Sequence, residues 1–119
     1  MATFTKTVLS SSTDGRGVKV VATASAGTTI HTGSATAATL HEVWLYAVNS
    51  DSVSRLLTVQ FGGTTAPDDS IQVSIPSQSG LVLVAPGLII KGNASPLVIK
   101  AFAAAANVIL IHGFVNVIA

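Results

Sequence analysis

The sequence predicts an all-β chain, folded as an antiparallel β-sandwich of jelly-roll-like order, with an immunoglobulin-like order as the alternative. Three observations predict it. Short runs rich in Val, Ile, Thr and aromatic residues recur along all 119 residues; Gly, Pro, Asn and Asp punctuate them; and helices have little room between. No segment is polar or repetitive enough to be a linker, and no repeat of fixed period appears, so residues 1–119 read as a single domain.

Taken in order, strands are expected over residues 3–9 and 18–24, joined by a loop that carries Asp14-Gly15, with a weaker strand over Thr28–Thr32. Val43-Trp44-Leu45-Tyr46-Ala47-Val48 is apolar on both faces, as expected of a strand covered by a second layer or by a neighbour. Leu57, Val59 and Phe61 share a face opposite Thr58 and Gln60, which should meet water. Gly62-Gly63 and the loop through Pro67-Asp68-Asp69 then break the pattern. The clearest alternation is Ile71-Gln72-Val73-Ser74-Ile75, ended by Pro76. Leu81-Val82-Leu83-Val84-Ala85 is again apolar on both faces. Pro86-Gly87 suits a tight turn into Leu88-Ile89-Ile90, because Pro presets φ at the second position and Gly accepts a positive φ at the third. Gly92-Asn93 marks the next reversal, before strands over 97–103 and 107–118. In the last strand Ile109, Ile111, Val115 and Val117 lie on one face, and Leu110, His112, Phe114 and Asn116 on the other.

Composition adds a functional hint. Hydrophobic residues make up 49% of the chain and charged residues only 9%, where soluble domains carry about a quarter charged residues. A chain of this length buries roughly two thirds of its unfolded surface, enough for a real core. A solvent coat would have to rely on Ser, Thr, Asn and Gln, and the simpler account is that other subunits cover much of the exterior. Six basic and five acidic residues give a net charge of +1. Lys6, Arg16, Lys19, Arg55, Lys91 and Lys100 form no patch or stripe, which argues against nucleic acid as a partner. The chain has no cysteine, hence no disulfide and no thiolate metal site. The first residues lack a basic region followed by an apolar run, so no secretory signal is expected. Residues 101–119 carry no Asp, Glu, Lys or Arg, which makes a membrane helix the rival reading there. Asn107, His112 and Asn116 would be costly in lipid, and their β-branched neighbours favour a strand, so no membrane contact is expected.

Chemistry-bearing residues are sparse. His31, His41 and His112, with Glu42, are the one set that could converge on a metal, yet their spacing matches no local metal motif; His112 reads better as a hydrogen-bonded histidine in a core or interface. Asp68-Asp69 could lend oxygens to calcium, but a solvated turn accounts for it. No Gly-x-Ser-x-Gly elbow fixes a nucleophile, and neither Gly15-Arg16-Gly17 nor Gly62-Gly63 has phosphate-loop spacing. Asn93-Ala94-Ser95 fits the glycosylation pattern, with Pro96 directly after it and no secretory signal to give it meaning. The expectation is a protein without catalytic residues, metal or cofactor. Trp44 and Tyr46 fall on one face of their strand, where they could serve a subunit interface or stack on a sugar ring.

Three segments carry a resemblance: His41-Glu42-Val43-Trp44-Leu45-Tyr46-Ala47-Val48-Asn49, Leu57-Thr58-Val59-Gln60-Phe61-Gly62-Gly63 and Asn107-Val108-Ile109-Leu110-Ile111-His112-Gly113-Phe114-Val115-Asn116. In strand texture and turn placement the chain resembles small virion proteins of tailed phages, most of all capsid decoration, or cement, proteins. The resemblance implies a β-rich subunit, usually a homotrimer, made in the host cytoplasm and seated on the outside of the head, where it ties copies of the major capsid protein together. It assigns no residue a role. The interface candidates come from the strand faces: Trp44, Tyr46, Leu110, His112 and Phe114. A carbohydrate-binding β-sandwich, or a tail, head-fibre or head-completion protein, is the alternative.

Overall fold

The computed structural model describes residues 2–119; Met1, the first residue of the expected domain, lies outside the described residues. Nine strands follow one another without a helix among the described residues: β1 (Phe4–Val8), β2 (Val18–Lys19), β3 (Thr28–Thr32), β4 (Leu40–Asn49), β5 (Arg55–Phe61), β6 (Ser70–Ile75), β7 (Val82–Lys91), β8 (Val98–Ala103) and β9 (Ile109–Ile118). One sheet has the order β1-β9-β4-β7, with β2 also paired to β9; the other has the order β3-β8-β5-β6. All pairings are antiparallel.

The pairings nest. β5 with β6, β4 with β7, β3 with β8, and β1 and β2 with β9 form the successive rungs of one long antiparallel ribbon, whose tip is the β5–β6 hairpin. Rolling that ribbon up lays β9 beside β4 and β8 beside β5. This is the jelly-roll order and not the immunoglobulin-like alternative.

The sheets face each other across a core built from every second residue. Val43, Leu45, Ala47, Ala85, Ile90, Ile109, Ile111 and Val115 come from the first sheet, and Ile30, Leu57, Val59, Ile75, Ile99, Ala101 and Ala103 from the second. Leu9, Val18 and Val20 plug one end. Asn49 is fully buried yet satisfied: its Nδ2 donates to Val53 O and Ile75 O, both at 2.9 Å, and its Oδ1 accepts from Asp51 N. It ties the β4–β5 loop to the end of β6.

Three sequence expectations are corrected, and the strand expected at the C-terminal end is found. Pro86-Gly87 does not reverse the chain: β7 runs straight through it, because Trp44 pairs with Pro86 and Val43 with Leu88, leaving Gly87 as the extra residue of a bulge. β7 is an edge strand, where proline's missing N–H costs no ladder bond, and Gly87 keeps the expected positive φ of 74°. The strand over 18–24 shrinks to β2, since Val21 N and Ala22 N donate to Thr28 Oγ1 instead of to a neighbouring strand. Thr58 and Gln60 point away from the core as expected but are buried, and Gln60 lies under the chain at residues 25–27. Residues 109–118 form β9, in place of the rival membrane helix, and no helix among the described residues is long and apolar enough to cross a membrane.

Candidate interaction surface

β4 and β9 pair over their full lengths, which fixes the outer face of the first sheet row by row. Trp44 lies opposite Phe114, Tyr46 opposite His112, and Val48 opposite Leu110; Glu42 meets Asn116 and Leu40 meets Ile118. Alternate residues share a face, so all five interface candidates, Trp44, Tyr46, Leu110, His112 and Phe114, lie together on the side away from the core. β1 extends three of these rows, with Phe4 beside Ile118, Lys6 beside Asn116 and Val8 beside Phe114. On the other side β7 adds Ile89 beside Glu42, Pro86 beside Trp44 and Leu83 beside Tyr46.

The middle of this face is built around two rings. Trp44 and Phe114 stack with centroids 6.0 Å apart and planes inclined by 11°. Lys6 Nζ sits 4.9 Å from the Phe114 centroid, a cation–π contact on the side away from Trp44's strand. Glu42 Oε1 accepts from Trp44 Nε1 at 2.9 Å and from Asn116 Nδ2 at 2.8 Å. These two bonds, the Trp44 one first, hold the Glu42 carboxyl below its usual range, so it stays ionised. Gly87 lets the indole lie close to β7, since a Cβ there would come 3.0 Å from Trp44 Cζ2. Gly113 lets β9 approach β4, since its Cβ would collide with the Trp44 carbonyl oxygen.

Apolar groups around the rings are open to solvent. Phe4 is 71% exposed, and Val8, Leu83 and Ile89 are each between 43% and 48% exposed. No pocket opens among the described residues.

The metal candidates separate. His31 Nε2 lies 2.9 Å from His41 Nδ1, linking β3 of one sheet to β4 of the other, while Ser10 N donates to His31 Nδ1. Nδ1 of His31 is therefore an acceptor, its proton is on Nε2, and His41 receives it. Burial first, and His41 second, lower the His31 pKa to about 4; burial also lowers that of His41. His112 and Glu42 belong to the outer face and do not join the pair, and among the described residues no group of three or more ligating side chains forms. The Asp69 carboxylate accepts from Thr65 N at 3.0 Å within its own loop.

No known protein family, curated protein or solved structure matches the chain. Sequence reasoning missed Phe4, Lys6, Val8 and Glu42 as members of the surface. Alternation of Phe4, Lys6 and Val8 with two threonines was the available signal, but only the β1–β9 register shows which face they join.

Proposed function

We propose that this chain is a non-enzymatic structural subunit, which works by covering apolar surface between copies of itself and against a larger protein shell. The observation that carries the reading is the outer face of the first sheet, an aromatic and aliphatic surface that crosses four strands. At about 4.8 Å between strands and 3.3 Å per residue, β4, β7 and β9 with ten residues each and β1 with five span about 550 Å², the polar members of the face included. Contiguous apolar patches of that size on one chain mark interaction sites. Sparse charge supports the same reading, because a subunit packed on a shell does not need a highly charged coat.

The shell we favour is the outside of a phage head, with the major capsid protein as partner and the virion surface as the location, as in the decoration proteins that the strand texture resembles. Several linked copies engaging such a shell together would hold by avidity even where each contact is weak. The test is to add the purified protein to undecorated heads and measure thermal or osmotic rupture. Binding with raised resistance is expected; heads that neither bind the protein nor resist longer overturn the assignment. Trp44→Ala separates this reading from a carbohydrate-binding module: loss of assembly is expected, whereas loss of glycan binding from an intact oligomer would favour the module.

A further inference from the structure

We propose that two copies of the chain meet face to face through the outer surface of the first sheet, about a two-fold axis running along β9, so that Lys6 of each copy stands over Glu42 of the other. The inference rests on the reading of this surface as an interface and gives it a specific occupant, a second copy. It also replaces the three-fold order implied by the resemblance with a two-fold one.

The row Lys6, Asn116, Glu42 runs across β1, β9 and β4 with a cation at one end, an anion at the other and an amide between them. Among the described residues neither charge meets an opposite one. Among the described residues the one ion pair is Arg55 with Asp51, far along the sequence in the β4–β5 connection. Lys6 has only the Phe114 ring beneath its Nζ. Both hydrogen bonds to Glu42 fall on Oε1, and among the described residues none falls on Oε2. An ionised carboxylate on an otherwise apolar face is a poor neighbour for a hydrophobic partner and a good one for a cation.

Geometry decides the axis. A two-fold axis in the plane of contact and parallel to β9 exchanges the positions of β1 and β4 while keeping each row level. Lys6 then faces Glu42 twice, once from each copy, and Asn116 faces Asn116. The same operation sets Phe4 on Leu40, Val8 on Trp44 and Phe114 on Phe114, apolar on apolar, and brings the long stem of Lys19 from β2 over Val48 at the far end of the contact. Moving the axis between β9 and β4 would put Lys6 over Ile89 and Glu42 over Asn116, leaving both charges unpaired. Turning it across the strands along the same row would set Lys6 on Lys6 and Glu42 on Glu42. Of these three axes, the one along β9 alone pairs Lys6 with Glu42. β4 and β9 with ten residues each and β1 with five cover about 400 Å² per copy and about 800 Å² in total before side-chain relief, the size of a weak, concentration-dependent contact, so the charge pairing is what selects this arrangement. Pairing edge to edge along β7 is hindered by Pro86 and the bulge at Gly87, which makes the face the better route.

The experiment is native mass spectrometry with sedimentation velocity on the whole chain and on two charge-reversed variants. Wild type should dimerise at micromolar concentration. Lys6→Glu and Glu42→Lys should each dimerise at least about tenfold more weakly, because each sets like charges together twice in a two-fold interface. Mixed one to one, they should form the heterodimer, in which both contacts are again opposite in sign. Glu42→Lys also removes the acceptor for Trp44 and Asn116; should it not fold, Glu42→Gln keeps an acceptor oxygen and is expected to weaken the dimer without disturbing the fold. Carbodiimide treatment of mixed light and heavy wild-type chains should link Lys6 to Glu42 between copies. A monomer, a trimer, single variants that dimerise like wild type, or a dimer without that cross-link overturns the proposal. Failure to bind phage heads would instead overturn the shell assignment and leave the dimer standing.

Discussion

The two outer faces of the sandwich differ more than their shared shortage of charge suggests. On the second sheet the outward residues of β5, β6 and β8 include Thr58, Gln60, Ser70, Gln72, Ser74 and Lys100, with Leu56, Val98 and Phe102 as the apolar exceptions. Its buried polar groups are satisfied from within: Gln72 Nε2 donates to Thr58 Oγ1, and Gln60 accepts from Gly27 N at 2.9 Å and donates to Ser25 Oγ at 2.8 Å. On the first sheet rings and aliphatic chains fill the middle of the outward face, with Lys6, Lys19 and Lys91 on its flanking strands and a single carboxylate organised by Trp44 and Asn116. A low content of charge therefore does not by itself locate an interface. One face here closes its polar groups on the chain's own loop, and the other is left apolar toward the outside.

The comparison breaks most sharply at Gln60. Gln60→Ala leaves the Gly27 N–H without its acceptor under a loop and removes buried volume, so the fold should lose about 3 kcal/mol. Self-association per folded molecule should stay as it was. Urea unfolding and sedimentation on the same sample read the two effects apart. A stable variant, or one that unfolds normally but no longer associates, would mean that the second face is not the internally closed one.

Acid should act on neither face but between the sheets. His31 has its pKa lowered to about 4 in the fold from an ordinary value near 6.5, so the folded state binds fewer protons than the unfolded state between those values. Stability contributed by neutral His31 is thus complete above about pH 6.5 and is lost as pH falls toward 4, with about 2 kcal/mol gone by pH 5. His41, also lowered, pulls the same way. Unfolding free energies for wild type and His31→Gln at pH 7.5 and pH 5 test this; equal pH slopes for the two proteins would remove His31 from the account.

Much of this fold was readable in advance, for a physical reason. Strand identity rests on local alternation and on turn residues, so β4, β5, β6, β8 and β9 fall where the pattern puts them, and the nested order of a jelly roll follows the expectation. What failed depends on other parts of the chain. Pro86-Gly87 has the chemistry of a turn and also that of an edge-strand bulge, and only the position of β7 at a sheet edge chooses between them. Thr58 and Gln60 alternate as exposed residues do, but a loop about thirty-five residues earlier covers Gln60. For the surface, parity within β4 and β9 was enough to collect Trp44, Tyr46, Leu110, His112 and Phe114, whereas Lys6 needed the register of β1. The pairing of His31 with His41 crosses between sheets, which no local pattern reports.

Gly87 tests whether the first face depends on its backbone as well as on its side chains. Gly87→Ala must place a Cβ at φ 74° and within 3.0 Å of the Trp44 ring, so it should cost about 1 kcal/mol and tilt the indole. Melting temperature and tryptophan emission should both move. An unchanged emission spectrum would show that the bulge does not set the ring.

Phe114 should give a small change in stability and the clearest separation of the two faces. Its ring is only partly buried, and within the chain it touches Trp44 on one side and the Lys6 ammonium on the other. Removing it forfeits one exposed stacking pair and one exposed cation–π contact, each at the low end of its range and together about 1 kcal/mol of folding stability. The same ring stands at the centre of the apolar surface, flanked by Val8 and Trp44 in its own row and by Asn116 and His112 along β9. Residues at the centre of an interface carry most of its energy, so Phe114→Ala should weaken association at least about tenfold while the melting temperature falls by only a few degrees. Phe102→Ala is the matching change on the second sheet, where Phe102 pairs with Thr58. It should leave association untouched. If Phe102→Ala weakens association as much as Phe114→Ala does, the face that carries association has been wrongly assigned.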